Sequence, residues 1–173
     1  MERQIWDFLK EAGFNDFAIA GLMGNLYAES GLNPKNLENI YNTKLKYTDD
    51  AFTTAVDSGE YTDFVHDAAG YGLAQWTYWS RKQGLLNMAR NLNTSIGNLD
   101  TQLNFLLNEL KNNYTNSVYK VLLNASSVKE ASDVVLYKFE NPANAAAQSA
   151  TRCSYANKFY NKYAKGVERP MGI

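Results

Sequence analysis

Apolar residues recur at helical spacing along most of the chain. Residues 3–12 place Ile5, Trp6 and Leu9 on one face, and Gly13 supplies a stop, which predicts a first amphipathic helix. Asn15 is a candidate N-cap for a second helix, in which Ile19, Leu22, Met23 and Leu26 recur at the same period. Gly31 and Pro34 should end it. Residues 36–66 break the pattern: Tyr and Thr become dense, and Asn42, Asp50 and Asp57-Ser58-Gly59 favour turns. A loop region with one short hairpin is expected there, and its length favours a functional role. Helical patterning returns after Trp76, over about 78–91, 98–112, 115–124, 127–139 and 143–164. Asp100 or Asn98 is placed to cap the second of these, and Ser126 or Ser127 the fourth. The expected class is therefore mainly α, with a small loop or short-hairpin region between helices.

The 173 residues suit one domain with a sizeable core. We expect a domain over residues 1–165, with residues 166–173 (including Pro170 and Gly172) as a tail or the start of a linker. With 45% apolar and 20% charged residues, the composition is that of a globular chain. No stretch reaches the roughly 20 apolar residues of a membrane span. The opening residues lack a basic stretch followed by an apolar run, so no secretory leader is expected within them.

Cys153 is the single cysteine and His66 the single histidine, which excludes an internal disulfide and a zinc site of the usual His/Cys kind. No metal or cofactor is expected. Neither Cys153 nor His66 sits in a nucleophile motif, and the ordinary reading of each is structural. Net charge is −1, but residues 1–70 carry twelve acids against five bases and residues 71–173 six against twelve. A basic half suits an anionic polymer; solvated helix faces explain it equally well. Nothing in the pattern points to nucleic acid.

Two segments carry chemistry. The first is Gly24-Asn25-Leu26-Tyr27-Ala28-Glu29-Ser30-Gly31-Leu32-Asn33-Pro34, which sets a carboxyl at the C-terminal end of an apolar helix. The helix dipole is negative there and apolar neighbours desolvate charge, so both favour a neutral acid. A general acid for glycoside hydrolysis needs that environment. A surface glutamate at a fraying helix end is the other reading the residues allow. The second segment is Asp67-Ala68-Ala69-Gly70-Tyr71-Gly72-Leu73-Ala74-Gln75-Trp76. Its glycines permit a tight turn and close approach of a ligand. Tyr71, Trp76, Tyr78 and Trp79 offer ring faces to sugars, and Gln75 offers both a donor and an acceptor. About half of these aromatics should instead be core.

Glu-Ser-Gly at a helix end, followed about forty residues later by Gly-Tyr-Gly-Leu-Ala-Gln-Trp, resembles the lysozyme and lytic transglycosylase superfamily. More closely, the chain resembles the phage tail lysozyme family, found in phage tail proteins and in cell-wall hydrolases of conjugative elements. The ordered words are Ile5-Trp6 with Phe8-Leu9, Gly21-Leu22-Met23-Gly24-Asn25, Ala28-Glu29-Ser30-Gly31 and Gly70–Trp76. Gln102-Leu103, Phe105-Leu106, Glu109-Leu110 and Phe139-Glu140 with Pro142 follow, so the set covers roughly residues 3–164.

The resemblance implies a helical lysozyme-like domain that cleaves the β-1,4 bond after N-acetylmuramic acid in peptidoglycan. It implies Glu29 as catalytic acid, with Tyr71, Gln75 and Trp76 in the cleft-lining motif beside Ser30. It also implies a module of a larger tail or cell-wall hydrolase protein, acting outside the cell on bacterial wall. His66 is a candidate sugar or carboxylate contact. A partner carboxylate is expected at Asp50 or Asp49, with Asp63 and Asp67 behind them, because several acids follow Glu29 in the Tyr/Thr-rich stretch. A lytic transglycosylase would manage with Glu29 alone, closing the muramic 6-hydroxyl onto the anomeric carbon. An N-acetylglucosaminidase would act on the same polymer, and a non-catalytic glycan-binding or structural tail domain is the alternative outside enzymes.

Overall fold

A computed structural model of the chain describes residues 1–164, and the expected tail at 166–173 lies outside the described residues. The described part is mainly helical and contains no strand. The described backbone divides into two compact units, Met1–Ala28 with the described chain from Leu110 onward, and Glu29–Glu109.

The first unit is built around the apolar helix foreseen in the sequence. Helix α1 (Glu2–Glu11) buries Ile5, Trp6 and Leu9. Helix α2 (Asp16–Ser30) starts where Asn15 Oδ1 accepts the Ala18 amide at 2.9 Å. Ala18, Ile19, Ala20, Leu22, Met23 and Leu26 are all buried, so α2 is apolar nearly all round, as a central helix must be. After a π-helical turn at Thr115–Tyr119 come α7 (Lys120–Leu123), α8 (Val128–Val135), a second π-helical turn at Leu136–Glu140, and α9 (Ala145–Tyr163); α3 (Asn39–Leu45), α4 (Asp49–Ser58), α5 (Trp79–Leu92) and most of α6 (Leu99–Asn112) belong to the second unit. Small residues let α2 approach its neighbours: a Cβ added to Gly21 would lie 2.6 Å from Ala131 Cβ, and one on Gly24 would lie 2.7 Å from the Ala156 nitrogen. Beside them Asn25 is fully buried, donating to Gly21 O and Ser132 O and accepting from Arg152.

The second unit corrects the expectation of a loop and hairpin over residues 36–66. That stretch contains α3 (Asn39–Leu45) and α4 (Asp49–Ser58). Thr48 caps α4 by accepting the Ala51 amide, and Asp49 and Asp50 in the first turn oppose the positive end of the helix dipole. Phe52, Ala55 and Val56 then fall at helical spacing on a buried face, outweighing the strand preference of the Thr residues. Helix α3 buries no residue, which is why no amphipathic pattern announced it. Phe52, Phe64 and Tyr71 pack as an aromatic core with ring centroids 5.6–6.2 Å apart. Helices α5 (Trp79–Leu92) and α6 (Leu99–Asn112) complete the order, and Asn98 caps α6 through the Thr101 amide.

Candidate active site

Glu29 stands one residue before the end of α2. The helix stops because Gly31 and Leu32 both take left-handed backbone angles, φ 62° and 64°. For Leu32 that conformation is disfavoured by about 1–2 kcal/mol, so its surroundings must hold it. Ser30 is buried, and its hydroxyl donates to Leu73 O at 2.8 Å, fastening the helix end to the glycine turn.

The turn itself is closed by reciprocal bonds between Tyr71 and Trp76, each 3.0 Å. Gly72 (φ 84°) donates its amide to Asn36 O, and a Cβ on it would meet the Gln102 side chain at 2.9 Å. Gln102 is wholly buried: its Oε1 accepts the Leu73 amide, and its Nε2 reaches Pro34 O and Ile96 O. Below the turn, the fully buried Lys82 bonds both Asp67 and Ala69 O, with the Phe64 ring 4.4 Å away. Burial draws the Lys82 ammonium below the ordinary lysine range, although the Asp67 carboxylate opposes that effect.

Glu29, half-buried, lines an open pocket of about 420 Å3 together with Ser30, Gly31 and Gln75. Asn36, Glu38, Asn39 and Ile40 form the rest of its lining. That size is typical of small-ligand sites. Gln75 adopts φ 52°, a strained position for a non-glycine residue, and its Nε2 lies 2.9 Å from Asn36 O and 3.1 Å from Asn36 Oδ1. Its Oε1 takes no donor among the described residues, which leaves an acceptor on a pocket-lining side chain.

Other expected residues lie elsewhere. Tyr71 and Trp76, expected in the cleft lining, are both fully buried and are not among the residues that line the Glu29 pocket. The Tyr71 hydroxyl meets Thr53 Oγ1 at 2.5 Å, and burial pushes its phenol upward. Trp76 Nε1 donates to Glu109, which also binds Arg81. Each ring has a polar tip satisfied inside, so the rings hold the turn from beneath. Tyr78 and Trp79 are the exposed pair. His66 stacks on Trp79, with centroids 6.1 Å apart, and does not line the Glu29 pocket.

None of the four aspartates lines that pocket. Asp49 accepts the Leu37 amide and Asn42 Nδ2. The Asp50 side chain is 86% exposed, 3.9 Å from Lys35. Asp63 is exposed, and Asp67 is engaged by Tyr61, Ala69 and Lys82. The acid that does line the pocket beside Glu29 is Glu38, which follows Pro34 in no motif of its own and was missed. Among the described residues no three His, Cys, Asp or Glu side chains gather into a metal-holding group.

A second pocket, of about 230 Å3, lies in the first unit between Tyr27, Tyr155 and Phe159, with Glu2 as its acid. Hydrogen bonds from Lys162 and Tyr163 hold Glu2 below the usual carboxylate range, so it is ionised at neutral pH and unsuited to donate a proton.

Compared with curated proteins, the chain is similar to morphogenesis protein 1 of Bacillus phage B103, with 27% identity over 146 residues. The match covers 81% of this chain and 33% of that protein, so the chain spans about a third of the relative's length. The family model described as phage tail lysozyme matches residues 1–163, nearly the whole chain. With Glu29 in the last turn of its apolar helix and its glycine turn fastened to the helix end through Ser30, the chain belongs to the phage tail lysozyme family.

Proposed function

We propose that this protein is a muramidase that cleaves the β-1,4 bond after N-acetylmuramic acid in peptidoglycan, with Glu29 as the general acid. The observation that carries the reading is the half-buried Glu29 carboxyl in an open pocket beside Gln75, Asn36 and Asn39. Those amides suit the hydroxyl and acetamido groups of amino sugars. Glu29 donates its proton to the glycosidic oxygen as the C1–O bond breaks and positive charge develops at the muramic C1. Water then attacks C1 and returns a proton to the Glu29 carboxylate, which restores the acid. The domain would act on the wall from outside the cell as a module of a longer tail or wall-hydrolase protein, in line with the span of its phage relative.

One observation favours a second reading, the lytic transglycosylase. Asp49 and Asp67 are already engaged by protein donors, and Asp50 stands in solvent. With Glu29 alone, the muramic 6-hydroxyl replaces water, attacks C1 and yields a 1,6-anhydro end, its proton passing to Glu29.

Mass spectrometry of the products released from purified wall separates the readings. Reducing N-acetylmuramic acid ends are expected from the muramidase, and anhydro ends, lighter by one water, from the transglycosylase. Reducing N-acetylglucosamine ends would assign the cleavage to the other bond of the polymer. Intact wall would leave a non-catalytic binding domain.

A further inference from the structure

We infer that Glu38 is a positioning residue: an oxygen acceptor that sets the glycine turn, and with it Gln75, against the Glu29 pocket, without using its negative charge in the reaction. The inference rests on the proposed role of Glu29 for its catalytic part and on geometry alone for the rest.

Glu38 bonds Gly70 twice. Its amide donates to Gly70 O at 2.8 Å, and its Oε1 accepts the Gly70 amide at 3.0 Å. The two bonds close a ring that leaves Gly70 little freedom to shift along the segment after Pro34. Gly70 must lack a side chain for this to work, because a Cβ there would lie 2.8 Å from Gln75 Oε1 and 3.2 Å from Glu38 Oε1. The side-chain oxygens of Glu38 and Gln75 thus converge over one bare glycine, and both residues line the pocket that holds Glu29. Moving Gly70 moves the strained residue Gln75, whose Oε1 is the acceptor left for a ligand.

The bond Glu38 makes to Gly70 requires only a carbonyl-type oxygen. An amide oxygen accepts an N–H in the same geometry, so glutamine should replace glutamate here. A partner acid that stabilises an oxocarbenium ion or activates water must be a carboxylate. The two roles therefore part at one substitution.

The test compares Glu38→Gln and Glu38→Ala. One readout is kcat and KM on soluble, uncrosslinked glycan strands; the other is hydrogen exchange at the Gly70 amide, read by NMR. In Glu38→Ala, Gly70 should exchange about tenfold faster while amides inside α2 keep their rates. Its kcat/KM should fall by about a hundredfold, the scale expected when a binding group is displaced by an ångström. Glu38→Gln should restore both to within about threefold of wild type and keep the pH profile. A hundredfold loss in Glu38→Gln with Gly70 exchange unchanged would make Glu38 the second acid and overturn the inference. Unchanged Gly70 exchange in Glu38→Ala would overturn it as well. If Glu38→Ala does not fold, Glu38→Gln alone decides between rescue and loss. If the wild-type protein cleaves no glycan, the proposed function falls, and Gly70 exchange alone judges the clasp.

Discussion

Arg152 in the first unit and Lys82 in the second are both buried cations, and they are held in different ways. Arg152 lies on α9 and bonds Gln148 one turn away and Asn25 on α2, inside helices that small residues already bring together. Its guanidinium braces a packing that backbone geometry has largely determined. Lys82 reaches out of α5 to a loop, where Asp67 and Ala69 O take its protons. No helix supports that loop; a few backbone bonds close it, at Tyr71 with Trp76, Gly72 with Asn36 and Glu38 with Gly70, and side chains bonding backbone complete its shape: Lys82 at Ala69, Glu38 at Gly70, Gln102 at Leu73, Ser30 at Leu73 and Gln75 at Asn36. A scaffold of regular helices tolerates the loss of one polar contact better than a turn made from such contacts. The site therefore sits on the part of the molecule where single polar side chains matter most.

The largest effect expected from this contrast is chemical. Glu29→Gln should lower wall lysis by about 10²–10⁴-fold while thermal unfolding moves by no more than ~2 °C. Activity within about threefold of wild type would remove Glu29 from the mechanism.

Next comes Asp67→Asn, which strands the Lys82 ammonium in a buried site. Denaturant titration at neutral pH should show a loss of about 3–5 kcal/mol, and lysis should fall further than the folded fraction explains, because the turn rests on Lys82. A pH series sharpens this. Burial sets the folded Lys82 below the 10.5 of a free lysine, so the unfolded chain binds more protons between those two values. The destabilisation is complete below the folded value and is relieved as pH rises toward 10.5. With the opposing carboxylate gone, Asp67→Asn should gain stability more steeply than wild type as pH rises toward 10.5. An equal or shallower slope would show that Lys82 is not held there as a desolvated cation.

On the scaffold side, Gly24→Ala pushes a methyl against the α9 backbone at Ala156 and should cost about 1–3 kcal/mol in a melt. Here kcat per folded molecule should stay within about threefold. A selective loss of kcat would break the division between brace and site.

The smallest effect is expected from Asp50→Asn. With an 86% exposed side chain, the change should alter stability by less than about 0.5 kcal/mol and lysis by less than about threefold. A loss beyond about tenfold would mean that substrate binding recruits this acid, and the hydrolytic route with two carboxylates would then be preferred.

Local physics made much of the molecule legible from sequence. The period of Ile5, Trp6 and Leu9, the unbroken apolar run of α2, and caps at Asn15, Asn98 and Ser127 each depend on residues within a turn or two. The same is true of Glu29 at a helix end and of a tight turn at Gly72, since Gly31 and Gly72 take positive φ without a side-chain penalty, whereas Leu32 needs its surroundings to hold it there. Tertiary structure decided the rest. Whether Tyr71 and Trp76 face ligand or core turns on Thr53 and Glu109, partners distant in the chain that satisfy their polar tips. Helix α4 prevails over its Thr residues because Phe52, Ala55 and Val56 find a core to fill. The acid beside Glu29 is Glu38 because its oxygen meets a backbone amide thirty-two residues away, and no periodicity in a sequence encodes which distant amide a side chain will reach.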